Sequence, residues 1–306
     1  MLRIVACLLI LGLFETGIFA QQQVDLPAPP KAVQLEGAPV MLARAKQFDV
    51  TSRINGQTYR VMVSTPYMAD PAIAYPVLYV LDGNAYFGTA TETLTRQFFL
   101  GTVAPAIVVG VGYPTDDQQE MIRRRNVDLT PSVSKAPDFS GMSGGGDTFL
   151  RVIEEELKPF VEARYKVDRA QQIIWGQSLG GLIVLRALFR NPTAYSTYVL
   201  SCPSIWWNDR EILGDEKAFS KRASAGDLHL KVLVTSAGDG QYRGDDPQRR
   251  AADNCMVDNA SELAARLMAL RPENIIVKHT IFEGERHSTV PQASLSRTMR
   301  FALPRQ

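Results

Sequence analysis

Short apolar runs alternate with longer amphipathic stretches along most of this 306-residue chain, and that alternation limits the fold more than any other feature. Runs of Val, Ile and Leu without a polar face are strands buried on both sides, which calls for a parallel sheet covered by helices. They occur from Pro76 to Leu81, Ala106 to Val111, Gln172 to Trp175, Thr197 to Leu200, Leu230 to Thr235 and Ile275 to Phe282. Helices fill the gaps, and are expected over Leu179 to Arg190, Ala251 to Leu270 and Pro291 to Ala302. Phe149, Ile153, Leu157, Phe160 and Val161 recur at helical spacing with Glu154, Glu155 and Glu156 mostly on the other side; Pro159 should kink that helix or start a new turn. Between Gln47 and Thr65, two β-rich stretches flank Asn55-Gly56, a dipeptide that accepts positive φ in a tight hairpin. The expected class is α/β: a mostly parallel central sheet with an antiparallel N-terminal edge and helices on both faces.

The first residues differ in kind. Arg3 precedes a nearly unbroken apolar stretch from Ile4 to Phe14, and Ala20 precedes Gln21-Gln22-Gln23, the pattern of a secretory signal peptide. The stretch is too short to span a bilayer comfortably, so no stable membrane insertion is expected after cleavage. Residues 1–20 are thus assigned to the signal peptide, 21–45 to a Gln-, Pro- and Ala-rich arm, and 46–306 to one domain that is periplasmic or secreted. Cys7 leaves with the signal; Cys202 and Cys255 then either pair or stay as two buried free thiols, the latter being the expectation. A net charge of +1 offers no field for nucleic acid or an anionic membrane.

Gly176-Gln177-Ser178-Leu179-Gly180 matches GxSxG, and Ile173-Ile174-Trp175 before it and Leu182-Ile183-Val184-Leu185 after it supply the strand and helix that a nucleophile turn needs. This is the mark of the α/β-hydrolase fold, with Ser178 as nucleophile. A serine hydroxyl needs a base. His229 precedes a strand and His279 lies within one, whereas His287 follows a strand's end on the loop where the last triad member belongs, after the serine in chain order. Asp239, in Gly238-Asp239-Gly240 after the penultimate strand, is the chosen acid, with Asp245, Asp246, Asp253 and Asp258 as competitors and a Ser-His pair without a strong acid also open. The oxyanion donors are expected at the N–H of Leu179 and, in the turn that Asp82 fixes, of Asn84. Trp206 and Trp207 are read either as a substrate wall or as core. Arg125, in the run Arg123-Arg124-Arg125, is a candidate for a substrate anion, a solvated charge run being the plainer reading. No GxxxxGK, HExxH or cysteine-histidine set is present, so no metal or cofactor is implied. The region from Gly112 to Gly146 lacks periodicity and is a candidate cover for the site.

With these residues in place, the chain from about Phe48 to Leu303 resembles the bacterial esterases related to the periplasmic trilactone-siderophore (enterobactin) esterase and, more loosely, esterase D and the mycolyltransferases. The resemblance rests on Tyr79-Val80-Leu81-Asp82-Gly83-Asn84, Gly145-Gly146-Asp147-Thr148-Phe149-Leu150, Ile153-Glu154-Glu155-Glu156-Leu157-Lys158-Pro159-Phe160, Gly176-Gln177-Ser178-Leu179-Gly180-Gly181, Pro203-Ser204-Ile205-Trp206-Trp207 and Phe282-Glu283-Gly284-Glu285-Arg286-His287. It implies a serine carboxylic-ester hydrolase working through an acyl-enzyme on a small ester, siderophore-type or other, with Ser178 and His287 matching the catalytic pair and Asn84 the oxyanion donor. Two positions depart. In Arg125-Asn126-Val127-Asp128-Leu129-Thr130-Pro131, Val127 stands where the family often has a second arginine, which weakens the case for an anionic catecholate; Asp239 and Gln241 stand where it tends to have glutamates. An acyltransferase on the same site and a non-catalytic binding module of the same fold are the alternatives.

Overall fold

Alternating apolar side chains on a strand reach opposite faces of a sheet, and here both faces are buried. The computed structural model describes residues 40–139, 141–241, 253–270 and 273–305; the expected signal peptide, most of the expected arm, Asp245 and Asp246 lie outside them. By its internal contacts the chain divides after Val40, and every element below belongs to the unit that begins at Met41. Eight strands form one sheet in the order β1-β2-β4-β3-β5-β6-β7-β8. β1 (Ala45–Thr51) and β2 (Thr58–Ser64) are antiparallel to their neighbours. β3 (Tyr75–Val80), β4 (Ile107–Gly112), β5 (Val167–Gln177), β6 (Thr197–Ser201), β7 (Leu230–Ala237) and β8 (Ile275–Phe282) run parallel.

On β5, Ile174 joins the core on one face while Ile173 and Trp175 join the core on the other. Burying each large apolar side chain is worth about 1.5–3 kcal/mol against about 0.5–1.5 for a hydrogen bond, so two-sided burial holds this strand central. Helices α1 (Gly83–Phe99) and α8 (Val290–Ala302) cover the Trp175 face. The Ile174 face packs against α3 (Gly146–Val152), α5 (Leu179–Arg190), α6 (Glu216–Ser224) and α7 (Met256–Ala269). The connection from β3 runs to β4 on one side and that from β5 to β6 on the other, so the carboxyl ends of these neighbouring strands form the switch point at which open α/β sheets bind ligands.

Three local expectations change and one is met. The antiparallel edge forms, but its strands are joined by residues 52–57 rather than by a two-residue turn; Gly56 alone there has positive φ (72°), and the Ser52 hydroxyl accepts from the N–H of Ile54 (3.1 Å) and of Asn55 (3.4 Å). The aperiodic region contains helix α2 (Gln118–Asp128), whose N-cap Asp117 accepts from the N–H of Gln119 at 2.8 Å. It carries no apolar stripe, since Asp128 is its one fully buried residue. The new turn expected at Pro159 forms: a π-helical turn over Ile153–Leu157 leads from α3 into α4 (Lys158–Glu162), which places the proline at a helix start, where its missing N–H costs little. Finally, Cys202 and Cys255 are both free, but only Cys202 is buried. Among the described residues, no helix is long and apolar enough to cross a membrane.

Candidate active site

The carboxyl ends of β3, β5 and β6 are each followed by a non-glycine residue at positive φ: Asp82 (52°), Ser178 (61°) and Cys202 (40°). Such backbone is strained for L-residues and persists only where the surroundings impose it. At Ser178 the imposition is visible. Its N–H donates to the Ser201 carbonyl (2.9 Å), and its own carbonyl accepts from the N–H of Leu182 (3.0 Å) and Ser204 (3.1 Å). A Cβ on Gly176 would lie 2.3 Å from the Gly180 carbonyl oxygen, so no other residue fits there. The turn lifts the half-buried Ser178 side chain off the strand end, with its hydroxyl 3.2 Å from that of the fully buried Ser204.

The structure brings His287 to the same strand end through Gln177, whose side-chain amide donates to the His287 carbonyl at 3.1 Å. Among the described residues the imidazole itself makes no hydrogen bond, the Ser178 hydroxyl being turned to Ser204. Burial, and then the nearby Arg125 guanidinium, hold the imidazole below the usual histidine range. A neutral imidazole is the form that accepts a proton. His279, by contrast, meets Ser236 on the neighbouring strand (3.2 Å), away from this turn.

Asp239 is exposed at the end of β7. Two backbone bonds bind its turn to the loop of His287, from Gly238 N–H to the Phe282 carbonyl (2.8 Å) and from Asp239 N–H to the Glu285 carbonyl (2.9 Å). Its carboxylate has no hydrogen-bond or ion-pair partner among the described residues. Asp258 is engaged elsewhere: it accepts from the Gln241 amide (2.6 Å) in the first turn of α7, where the Gln241 carbonyl oxygen caps the N–H groups of Val257 and Asp258.

Leu179 opens α5 and Asn84 is the second residue of α1, so their backbone N–H groups lie in first turns, where no intrahelical acceptor exists. The Asn84 side chain is committed to both backbone groups of Tyr113 (2.7 and 2.9 Å), which pins the start of α1 to the end of β4. The arginine run divides three ways. Arg123 pairs with Glu120 at the surface; Arg124 stacks over Tyr113, 4.7 Å from its ring centre; Arg125 turns inward, donating to Asp82 (2.8 Å) and to the Gln177 carbonyl (3.4 Å). Only the first fits a solvated charge run.

The tryptophans separate as well. Trp207 is core rather than a substrate wall: it is fully buried, its indole N–H bonds to Ser132 (3.2 Å), and its ring meets Phe139 edge-on at 5.0 Å. Trp206 is half-buried, and its indole nitrogen is shielded from water without a partner among the described residues. Gln177 and Ser204 carry no sequence signal of a site role. GxSxG leaves the residue before the serine open, and Ser204 lies 26 positions from the serine it touches.

Sheet order, strained serine turn and loop arrangement together define an α/β-hydrolase. Residues 52–270 match the family model Esterase, described as "Putative esterase", and the chain belongs to that family. It is a carboxylic-ester hydrolase of the serine type. The ferri-bacillibactin esterase BesA of Bacillus subtilis is 36% identical over 262 residues, which are 83% of this chain and 88% of that one. The siderophore triacetylfusarinine C esterase of Aspergillus fumigatus is 35% identical over 276 residues, 85% of this chain and 93% of that one. Among solved structures, the BES protein from Bacillus cereus superposes with a TM-score of 0.79 at 33% identity, covering 89% of this chain and 99% of that one.

Proposed function

We propose that Ser178 attacks a siderophore-type ester with His287 as base, Asp239 orienting the imidazole and the N–H groups of Leu179 and Asn84 holding the oxyanion. The observation that carries this reading is the strained Ser178 turn, tied through its own neighbour Gln177 to the loop of His287. Rotation about the Ser178 Cα–Cβ bond exchanges the Ser204 hydroxyl for the imidazole. His287 takes the Ser178 proton as Oγ bonds to the ester carbon, then gives it to the departing alcohol as the C–O bond breaks. Water attacks the acyl-enzyme, loses its proton to His287, and the carboxylic acid leaves as Ser178 regains a proton. Trp206 walls the site, and Arg125 is the guanidinium of α2 that faces it. Val127 packs instead against the glycine run, its carbonyl accepting from Gly145 N–H at 2.9 Å, and supplies no second cation. The substrate class follows the relatives' names, and residues 1–20 are proposed to export the chain, with residues 46–306 as the working domain.

Purified enzyme assayed on p-nitrophenyl esters and on linear and cyclic siderophore esters tests this. Ser178→Ala should lose about 10⁴-fold or more in kcat and all labelling by a fluorophosphonate. Equal turnover in the two proteins would reject the nucleophile.

A further inference from the structure

Nothing in the GxSxG pattern requires a particular residue before the serine, yet here that residue is a glutamine only 2% exposed at the end of the central strand. A buried amide must have its donors and acceptor met. The side-chain oxygen of Gln177 accepts from the fully buried Ser201 hydroxyl (2.5 Å), and its nitrogen donates to the His287 carbonyl (3.1 Å). The reverse orientation would set oxygen against oxygen at His287, so the network selects one amide rotamer. Its main-chain carbonyl also accepts from Arg125 (3.4 Å). The bond to Gln177 is the one hydrogen bond of His287 among the described residues, and it spans 110 positions of sequence.

We infer that Gln177 is a positioning residue for catalysis: its amide clamps the loop of His287 to the nucleophile strand and sets the imidazole's place relative to Ser178. The inference rests on the Ser178–His287 reading above and deepens it. Ser178 follows Gln177 directly, so one residue aims the nucleophile through the backbone and the base through its side chain. A displacement of about 1 Å in a reacting group can cost about 100-fold in rate without altering substrate binding. The charged groups around His287 are Arg125 with its partner Asp82, Asp239 on the adjoining turn, and Glu285 and Arg286 on its own loop. Releasing the clamp moves the imidazole toward water and away from Arg125.

Gln177→Met keeps the bulk and removes both side-chain bonds. On p-nitrophenyl butyrate it should lower kcat about 30- to 100-fold with KM within about threefold, and the acid limb of the kcat/KM profile should move upward in pH. Gln177→Glu retains the acceptor for Ser201 but offers His287 no donor; it should show the same loss and a larger upward shift. Gln177→Asn, too short to reach His287, should fall with them, and any one of the three that folds suffices. A kcat within twofold of wild type, or a loss with the acid limb unmoved, overturns the clamp. Ser178→Ala run alongside separates the two claims. Turnover surviving there overturns the nucleophile and the clamp together; a dead Ser178→Ala beside an unimpaired Gln177→Met overturns the clamp alone.

Discussion

As the proposed base, His287 has to be wet enough to exchange protons and dry enough to stay neutral. Burial and the Arg125 cation both disfavour its charged form, so it remains a base at pH values where a free histidine is protonated. The acid limb of kcat/KM should therefore have its midpoint below pH 6.5. Arg125→Gln removes the cation and leaves Asp82 uncompensated, both of which favour imidazolium; the midpoint should rise, and a fall would reject the assignment. The cysteines make a second residue-scale contrast. Burial pushes the Cys202 thiol up to about 11, and its sulfur accepts from Ala237 N–H at 3.3 Å, whereas Cys255 is exposed at the start of α7. Ellman's reagent should react quickly with the folded enzyme through Cys255 and with Cys202 only after unfolding. Cys255→Ser should remove the fast phase and Cys202→Ser should leave it.

Among the elements, the strand–turn–helix from β5 to α5 is tightly constrained at Gly176. A methyl on Gly176 would strike backbone, but one on Gly180 would meet nothing nearer than the Asp82 carboxylate at 3.5 Å. Gly176→Ala should thus cost several kcal/mol or prevent folding, while Gly180→Ala, in a helix at ordinary φ, should stay within about 1 kcal/mol of wild type in urea unfolding. The glycine pattern told of this turn in advance because backbone collisions are local. Helix α2 was not readable in the same way. Its residues, Gln-Gln-Glu-Met-Ile-Arg-Arg-Arg-Asn-Val-Asp, show no apolar face, and the helix is held by polar contacts to distant residues, such as Arg124 to the Thr58 carbonyl (2.8 Å) and Arg125 to Asp82. Periodicity reports burial, so a helix docked through arginines leaves no periodic trace.

At the scale of the whole molecule, one buried carboxyl bears on stability. Asp128, at the end of α2, lies under Tyr59, whose hydroxyl is 3.4 Å away, and burial raises its pKa from 3.8 to about 7. Its folded-state pKa exceeds the unfolded one, so its contribution is complete below pH 3.8 and is lost as pH rises through about 7. Between pH 6 and 8, wild type should lose about 1 kcal/mol relative to Asp128→Asn, or about 2–4 °C in Tm, by thermal unfolding of both proteins at each pH. An unchanged gap would show that the carboxyl is ionised throughout. The same scale governs the site. The sheet order puts the switch point between β3 and β5, and the segments after β3, β5, β7 and β8 carry Asn84, Ser178, Asp239 and His287, the residues proposed for catalysis.

What the amino-acid sequence determined alone was the alternation of buried strands and helices, the serine turn with its obligatory Gly176, and the chain order of Ser178, Asp239 and His287. These follow from side-chain period and local sterics, which act over a few residues. The tertiary structure alone decided that Gln177 holds His287, that Ser204 faces the Ser178 hydroxyl, that the arginine run divides three ways and that Trp207 is core while Trp206 is not. Those outcomes depend on strand register and on which loops meet across the carboxyl edge of the sheet. No short-range pattern encodes a hydrogen bond between residues 110 positions apart.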